Sequence, residues 1–290
     1  MKNMKKKIIF ANRIPSQFEE CQEYVEKIIK EYYEELQLDS TIKIKFVKEL
    51  KANEFEVTDC AVILRTEKWQ ELTITNYILN TIFYDGGNFF CVAIYHEMEH
   101  IKDYISMVRT KLFNFKLCLF KQKNFERTYV SSGYSFWTEI YAYYRTLEFA
   151  QLNDIKYEKI VFSDLVKIFV KLKENGKEIY NKEVVTPEEG RAHIKAVDSF
   201  VYLCAKFMAS SYINHSKIPR TKISKDKDYK KVYSILAGFS PKIIRIMNNP
   251  YSEKSYKNLF LLGKYICEDV RWKIFKVGLI KKRDGVYSCC

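Results

Sequence analysis

The stretch DGGNFFCVAIYHEMEH, residues 85–100, decides how the rest of the chain is read. Asp85-Gly86-Gly87-Asn88 is a turn, because successive glycines accept backbone conformations that other residues avoid, and Asn88 is suited to cap a following helix. From Phe89 to Ile94 the residues are apolar with no polar face, as in a helix buried on all sides, and the pattern predicts a helix over 89–108. His96 and His100 stand four apart on it, so both imidazoles project from one face and can reach a single ion. Glu97 sits about 100° round the helix from His96. From there it can take a proton from an ion-bound water without being a ligand itself. This H-E-x-x-H pattern points to Zn2+, which takes about four ligands and in a catalytic site leaves one position to water.

A third protein ligand is then required. Glu139 is the lone acid in an apolar run with Phe136, Trp137, Ile140, Tyr141 and Ala142, and a carboxylate in such a run needs a partner, for which a metal is well suited. The alternatives for Glu139 are a pair with Arg145 or exposure to solvent. Asp103, seven residues past His96 on the same face, is the rival third ligand, with orientation of a ligand histidine as its other role. Glu99 points away from the ligand face and reads as solvated or structural. A donor for a developing oxyanion is also needed. Tyr143, one turn past Glu139, and His193, on a later helix, are the candidates, each with a plain packing role as its alternative.

Working upstream, residues 16–38 carry Phe18, Cys21, Val25, Ile28, Ile29, Tyr32 and Leu36 at three- and four-residue steps, an amphipathic helix. Residues 41–47 switch to alternation, Ile42, Ile44 and Phe46 against Lys43 and Lys45, a half-exposed strand. Residues 60–65 and the β-branched run 72–79 read as two more strands. Downstream, residues 111–127 read as helical. Residues 129–134, with Ser-Ser-Gly at their centre, read as a loop, and Ser135 caps a helix to 152. Helices follow over 163–180, over 186–212 (opened by the capping box Thr186-Pro187-Glu188-Glu189), and over 229–237, 241–247 and 252–275, with a basic loop at 213–228.

His96-Glu97-Met98-Glu99-His100 followed by Glu139-Ile140-Tyr141-Ala142 resembles the gluzincin pattern, H-E-x-x-H with a downstream glutamate ligand. The short E-x-x-A element is also similar to the ImmA/IrrE-type peptidases of bacteria and their mobile elements. The resemblance covers about residues 1–152. It implies a zincin-like domain ordered as helix, three-stranded sheet, active-site helix and glutamate helix, an edge strand at 60–65 or 72–79 that takes the substrate backbone, and a zinc metallopeptidase activity.

Composition adds a second theme. The 290 residues are 47% hydrophobic and 16% aromatic, ample for a packed core. The net charge of +13 is unevenly placed: residues 1–150 hold 21 Lys/Arg and 21 Asp/Glu, whereas residues 151–290 hold 28 and 15. Lysines interleaved with aromatics, as at Lys230, Lys231, Tyr233 and Lys254, Tyr256, Lys257, either solvate the surface or face an anionic partner such as nucleic acid. Eight scattered cysteines without a C-x-x-C pair read as reduced thiols, which with the short apolar stretch after the basic residues 1–7 predicts a cytoplasmic protein with no membrane partner.

The expectation is therefore an α+β chain with a zincin-like domain over 1–152 and an all-helical basic domain over 153–290. The expected function is zinc-dependent hydrolysis of a peptide or protein substrate, with His96, His100 and Glu139 on the metal and Glu97 as general base. The alternative is a non-enzymatic peptidase-like binding module whose basic half binds nucleic acid or an acidic protein.

Overall fold

The computed structural model describes residues 8–50, 60–64, 69–109, 125–156, 160–182, 185–213 and 226–277. The helix expected over 111–127 and the basic loop over 213–228 lie, except at their ends, outside the described residues. Helices dominate, beside one small mixed sheet, an α+β composition. The chain divides into two compact units. One comprises Met1–Lys111 with Tyr141–Tyr157, the other Leu112–Ile140 with Glu158–Cys290. The division expected at 152 followed chain order, whereas contacts group residues 112–140 with the later helices.

In the first unit, β1 (Ile8–Phe10) precedes a 3-10 turn (Ser16–Cys21), α1 (Gln22–Glu35), β2 (Thr41–Val47), β3 (Cys60–Leu64), β4 (Trp69–Thr75), α2 (Asn76–Asp85) and α3 (Asn88–Arg109). The sheet order is β1-β2-β4-β3, with β1, β2 and β4 parallel and β3 antiparallel to β4. Alternation in β2 is read as expected: Ile42, Ile44 and Phe46 are buried, and Lys43 and Lys45 are exposed. Their apolar face builds the core with Leu72 and Ile74 of β4, Val25 and Ile29 of α1, and Phe90, Ile94 and Met98 of α3.

Two readings of this region are corrected. Strand β1 is a fourth strand that the three-strand expectation lacked. The run 72–79 is strand only to Thr75, whose hydroxyl accepts the Ile78 amide at 3.5 Å and so caps α2; a threonine at that point turns a β-branched run into a helix start. Of the two candidate edge strands, β3 is an edge and β4 is internal.

A single helix, α4 (Phe125–Leu152), runs from the second unit into the first. The loop expected at 129–134 is therefore helix, and Ser135 caps nothing. In the second unit, Gly133 of α4 meets the backbone of α8 (Glu253–Lys264): a Cβ on Gly133 would lie 2.0 Å from the Leu259 carbonyl oxygen, and one on Gly263 would lie 1.6 Å from that of Tyr129. The glycine marks a close helix crossing, not a loop.

The remaining helices of this unit are α5 (Phe162–Asn181), α6 (Pro187–Ile213) and α7 (Lys227–Met247). The capping box that opens α6 is formed: the Thr186 hydroxyl accepts the Glu189 amide at 3.2 Å, and the Glu189 carboxylate accepts the Thr186 amide at 3.0 Å. Two helices were expected around Pro241, and one continuous helix is found. Proline interrupts the hydrogen-bond ladder. The stripe Val232, Ile235, Leu236, Phe239, Ile243 and Ile246 nevertheless stays buried on both sides of it, and the Lys242 ammonium donates to the Gly238 carbonyl at 2.8 Å. Past Lys264 the chain continues as a π-helix, Tyr265–Ile274. Phe275 closes the core of this unit against Phe169 and Phe200, with ring centroids 5.5 and 5.4 Å away.

Candidate metal centre

Local sequence aims α3. Gly86 and Gly87 adopt φ of 68° and 84°, and a Cβ on Gly87 would sit 2.4 Å from the Tyr24 hydroxyl, so only glycine fits there. The cap is Asp85, not Asn88: its carboxylate accepts the amides of Gly87 at 3.0 Å and Phe89 at 2.9 Å. Helix α3 then runs buried on most sides, as its apolar start predicted, while Ala93 and Glu97, one turn apart, stay half-buried. Tyr95 stacks on Phe149 of α4 at 4.2 Å, and Tyr32 of α1 meets both rings edge-on at 5.3 Å. That aromatic cluster fixes the rotation of α3 against the C-terminal part of α4.

His96 and His100 are buried on α3 with their rings edge to face, centroids 4.7 Å apart. Their Nε2 atoms lie 3.1 Å from each other. Two ring nitrogens this close need a proton or a cation between their lone pairs. Two nitrogen ligands of one tetrahedral zinc, each at about 2.0–2.1 Å, would stand roughly 3.3 Å apart. The pair is thus spaced for a shared ion.

The tautomer of His96 follows from its neighbours. The Thr146 hydroxyl donates to the Ala142 carbonyl at 2.7 Å, so at 3.3 Å from His96 Nδ1 its oxygen is left to accept. His96 therefore carries its proton on Nδ1 and presents the Nε2 lone pair to the ion position, the protonation a metal ligand needs. We expect Thr146→Val, which keeps the shape and removes the acceptor, to weaken any metal-ion binding at this group by about 10–100-fold. A competition titration against a chelator measures this, and unchanged affinity would remove Thr146 from the site.

Glu139 completes the set: one carboxylate oxygen and one nitrogen from each of His96 and His100 lie within 4.8 Å of one another. Among the described residues this is the group able to hold a metal ion, and Asp103, the rival third ligand, is not part of it; Asp103 is fully buried on α3. Two nitrogens and a carboxylate suit zinc's preferences, and three protein ligands leave a position for water.

Around this group, Tyr143 is buried edge-on to the His96 ring at 5.9 Å, so the structure does bring it to the histidines. Glu99 is buried, with none of its side chain exposed, and is paired to Arg145 at 3.4 Å. Of the two readings given to Glu99, structural is the one found, and Arg145 pairs with Glu99 and Glu148. Burial pushes the Glu99 carboxyl above its ordinary value, opposed by the charges of Lys102 and Arg145. His193, the other candidate donor, lies on α6, its Nε2 donating to the Phe275 carbonyl at 3.0 Å, and it is not part of the group with His96 and His100. Sequence reading missed Thr146 and the Arg145–Glu99 pair. The only available signal was the spacing of Ala142, Tyr143 and Thr146 on the face of α4 that also carries Glu139.

No protein-family model, no curated protein and no solved structure matches this chain. Among the described residues no helix is long and apolar enough to cross a membrane.

Proposed function

We propose that the chain is a zinc-dependent hydrolase of peptide bonds, with a zincin-like domain over residues 1–152 and a gluzincin-type ligand set. The observation that carries the reading is the convergence of His96, His100 and Glu139, with the two Nε2 atoms 3.1 Å apart. Sequence order supports it as well: after β1 come a helix, three strands, the short helix α2, the histidine helix and then the glutamate helix.

Zinc bound there would supply Lewis acidity toward the scissile carbonyl and make a water nucleophilic near neutral pH. The protein's own part is to position and to move protons. Thr146 holds the His96 ring through Nδ1. Glu97, half-buried beside the ligand pair and outside the ligand set, accepts the proton of the attacking water at a carboxylate oxygen and returns it to the departing amine. Tyr143, whose ring lies 5.9 Å from that of His96, is the residue we assign to donate from its hydroxyl to the carbonyl oxygen as charge develops there.

Elemental analysis of the purified wild type beside His96→Ala and Glu139→Ala is the test. We expect about one zinc per chain in the wild type and loss of it in both variants. A wild type that takes up no zinc on reconstitution would overturn the proposal.

A further inference from the structure

The second unit contains a pocket of about 450 Å³ that has no part in the metal centre. Its apolar lining includes Leu172 and Phe275, and its charged lining is almost entirely cationic. Two of its lysines are already answered: Lys173 by Asp228 at 2.5 Å and Lys273 by Asp269 at 2.6 Å. Four others, Lys177 on α5, Lys227 and Lys231 on the first turns of α7, and Lys276, meet no carboxylate among the described residues. Like charges gathered round one concavity repel each other and raise the local concentration of anions.

Lys276 supplies a second, independent observation. It follows the π-helix at φ 58°, in the left-handed region where a chain leaving a helix ordinarily places glycine. Its amide donates to the Trp272 carbonyl at 3.0 Å, and the preceding carbonyl, that of Phe275, takes the His193 ring at 3.0 Å. A backbone secured on both sides holds a lysine where fold stability alone favours glycine, and that lysine lines the pocket. π-Helical turns are rare and frequently accompany functional sites.

We propose that this pocket binds a nucleotide, with the four unanswered lysines on the phosphates and the apolar lining against the base. Inorganic phosphate would leave most of 450 Å³ unfilled. A polymeric nucleic acid is fitted by a charged track along a surface, whereas a concave, apolar-floored pocket of this size is the form of a small-molecule site. The inference rests on the second unit alone and is independent of the zinc reading.

Calorimetric titration of the full chain at physiological salt tests it, with ATP, inorganic tripolyphosphate and a single-stranded oligonucleotide as probes. ATP is expected to bind saturably and more tightly than tripolyphosphate. Lys177→Glu/Lys231→Glu should weaken ATP by on the order of tenfold or more. Lys276→Gly should weaken it too while leaving the melting temperature unchanged or higher, an outcome that a merely damaged fold cannot give. Lys254→Glu/Lys257→Glu, the same charge change at exposed positions of α8 outside the pocket, should leave ATP binding within about twofold. No saturable ATP binding at millimolar concentration overturns the proposal. So does equal loss in the α8 variant, or an oligonucleotide that binds where ATP does not compete, since either shows a general electrostatic surface.

Discussion

Under the proposed function, Glu97→Gln is expected to keep about one zinc per chain and to lower peptide hydrolysis by about a thousandfold. The two side chains have the same shape, and Gln can still hydrogen-bond a water. It cannot accept the water's proton, and that transfer is the step assigned to Glu97. Because the group able to hold an ion is His96, His100 and Glu139, the substitution leaves all three in place. Its half-buried position makes the exchange tolerable for the fold, since no fully buried charge is stranded. The loss should fall on kcat more than on KM, because the missing interaction exists only as the proton moves. The measurement is kcat and KM on the fastest-cleaved member of a peptide library, beside zinc content for the same preparations. Wild-type rates with zinc retained would take the general base away from Glu97. Loss of zinc together with rate would instead make Glu97 a support of the ligand set.

Features governed by neighbours in sequence were legible before the structure. The alternation Ile42, Ile44, Phe46 fixes the buried face of β2, because a strand's side chains alternate whatever the tertiary context. The i, i+4 spacing of His96 and His100 fixes their shared face on any helix, and the Thr186–Glu189 box closes as its residues dictate. Failures occurred where a distant partner decides. Ser131-Ser132-Gly133 carries the composition of a loop, yet it is helical because another helix backbone, at Leu259 and Gly263, requires a residue without a side chain at Gly133. Pro241 reads as a break, but a buried stripe on both sides outweighs the lost hydrogen bond. The His193 ring is engaged by a carbonyl 82 residues away in sequence, a partner that no local pattern names. Glu139 stands out in the sequence as the lone acid of an apolar run, and it is half-buried near His96 and His100. Thr146 does not stand out, because a hydroxyl accepting from His96 Nδ1 depends on the rotation of α4 against α3, which the Tyr32–Tyr95–Phe149 cluster sets.

The same reasoning gives Gly263→Ala the largest effect expected on stability. In an exposed helix this change would stabilise by about 1 kcal/mol, since alanine orders a helix at lower entropic cost than glycine. Here the added methyl would lie 1.6 Å from the Tyr129 carbonyl oxygen and 2.5 Å from its carbon, both backbone atoms that no rotamer change can move aside. Helices α4 and α8 must separate, and what α4 shares with α8 and with the π-helix that continues it is strained or lost. The Tyr129 hydroxyl donates to Glu268 at 2.7 Å, the Cys267 thiol meets the Ser132 hydroxyl at 3.4 Å, and Leu259 and Leu262 are fully buried beside it. Overpacking of this kind costs about 3 kcal/mol or more when the obstacle is backbone, which exceeds the gain in helix propensity. For a unit of this size the melting temperature should fall by roughly 6–12 °C, read by calorimetry or circular dichroism. Gly190→Ala, on α6 with nothing within 4 Å of the new Cβ, is the matched control and should leave the melting temperature unchanged or slightly raised. If the two variants melt together, the backbone contact between α4 and α8 is not what holds the second unit, and the reading of Gly133 as a crossing residue fails with it.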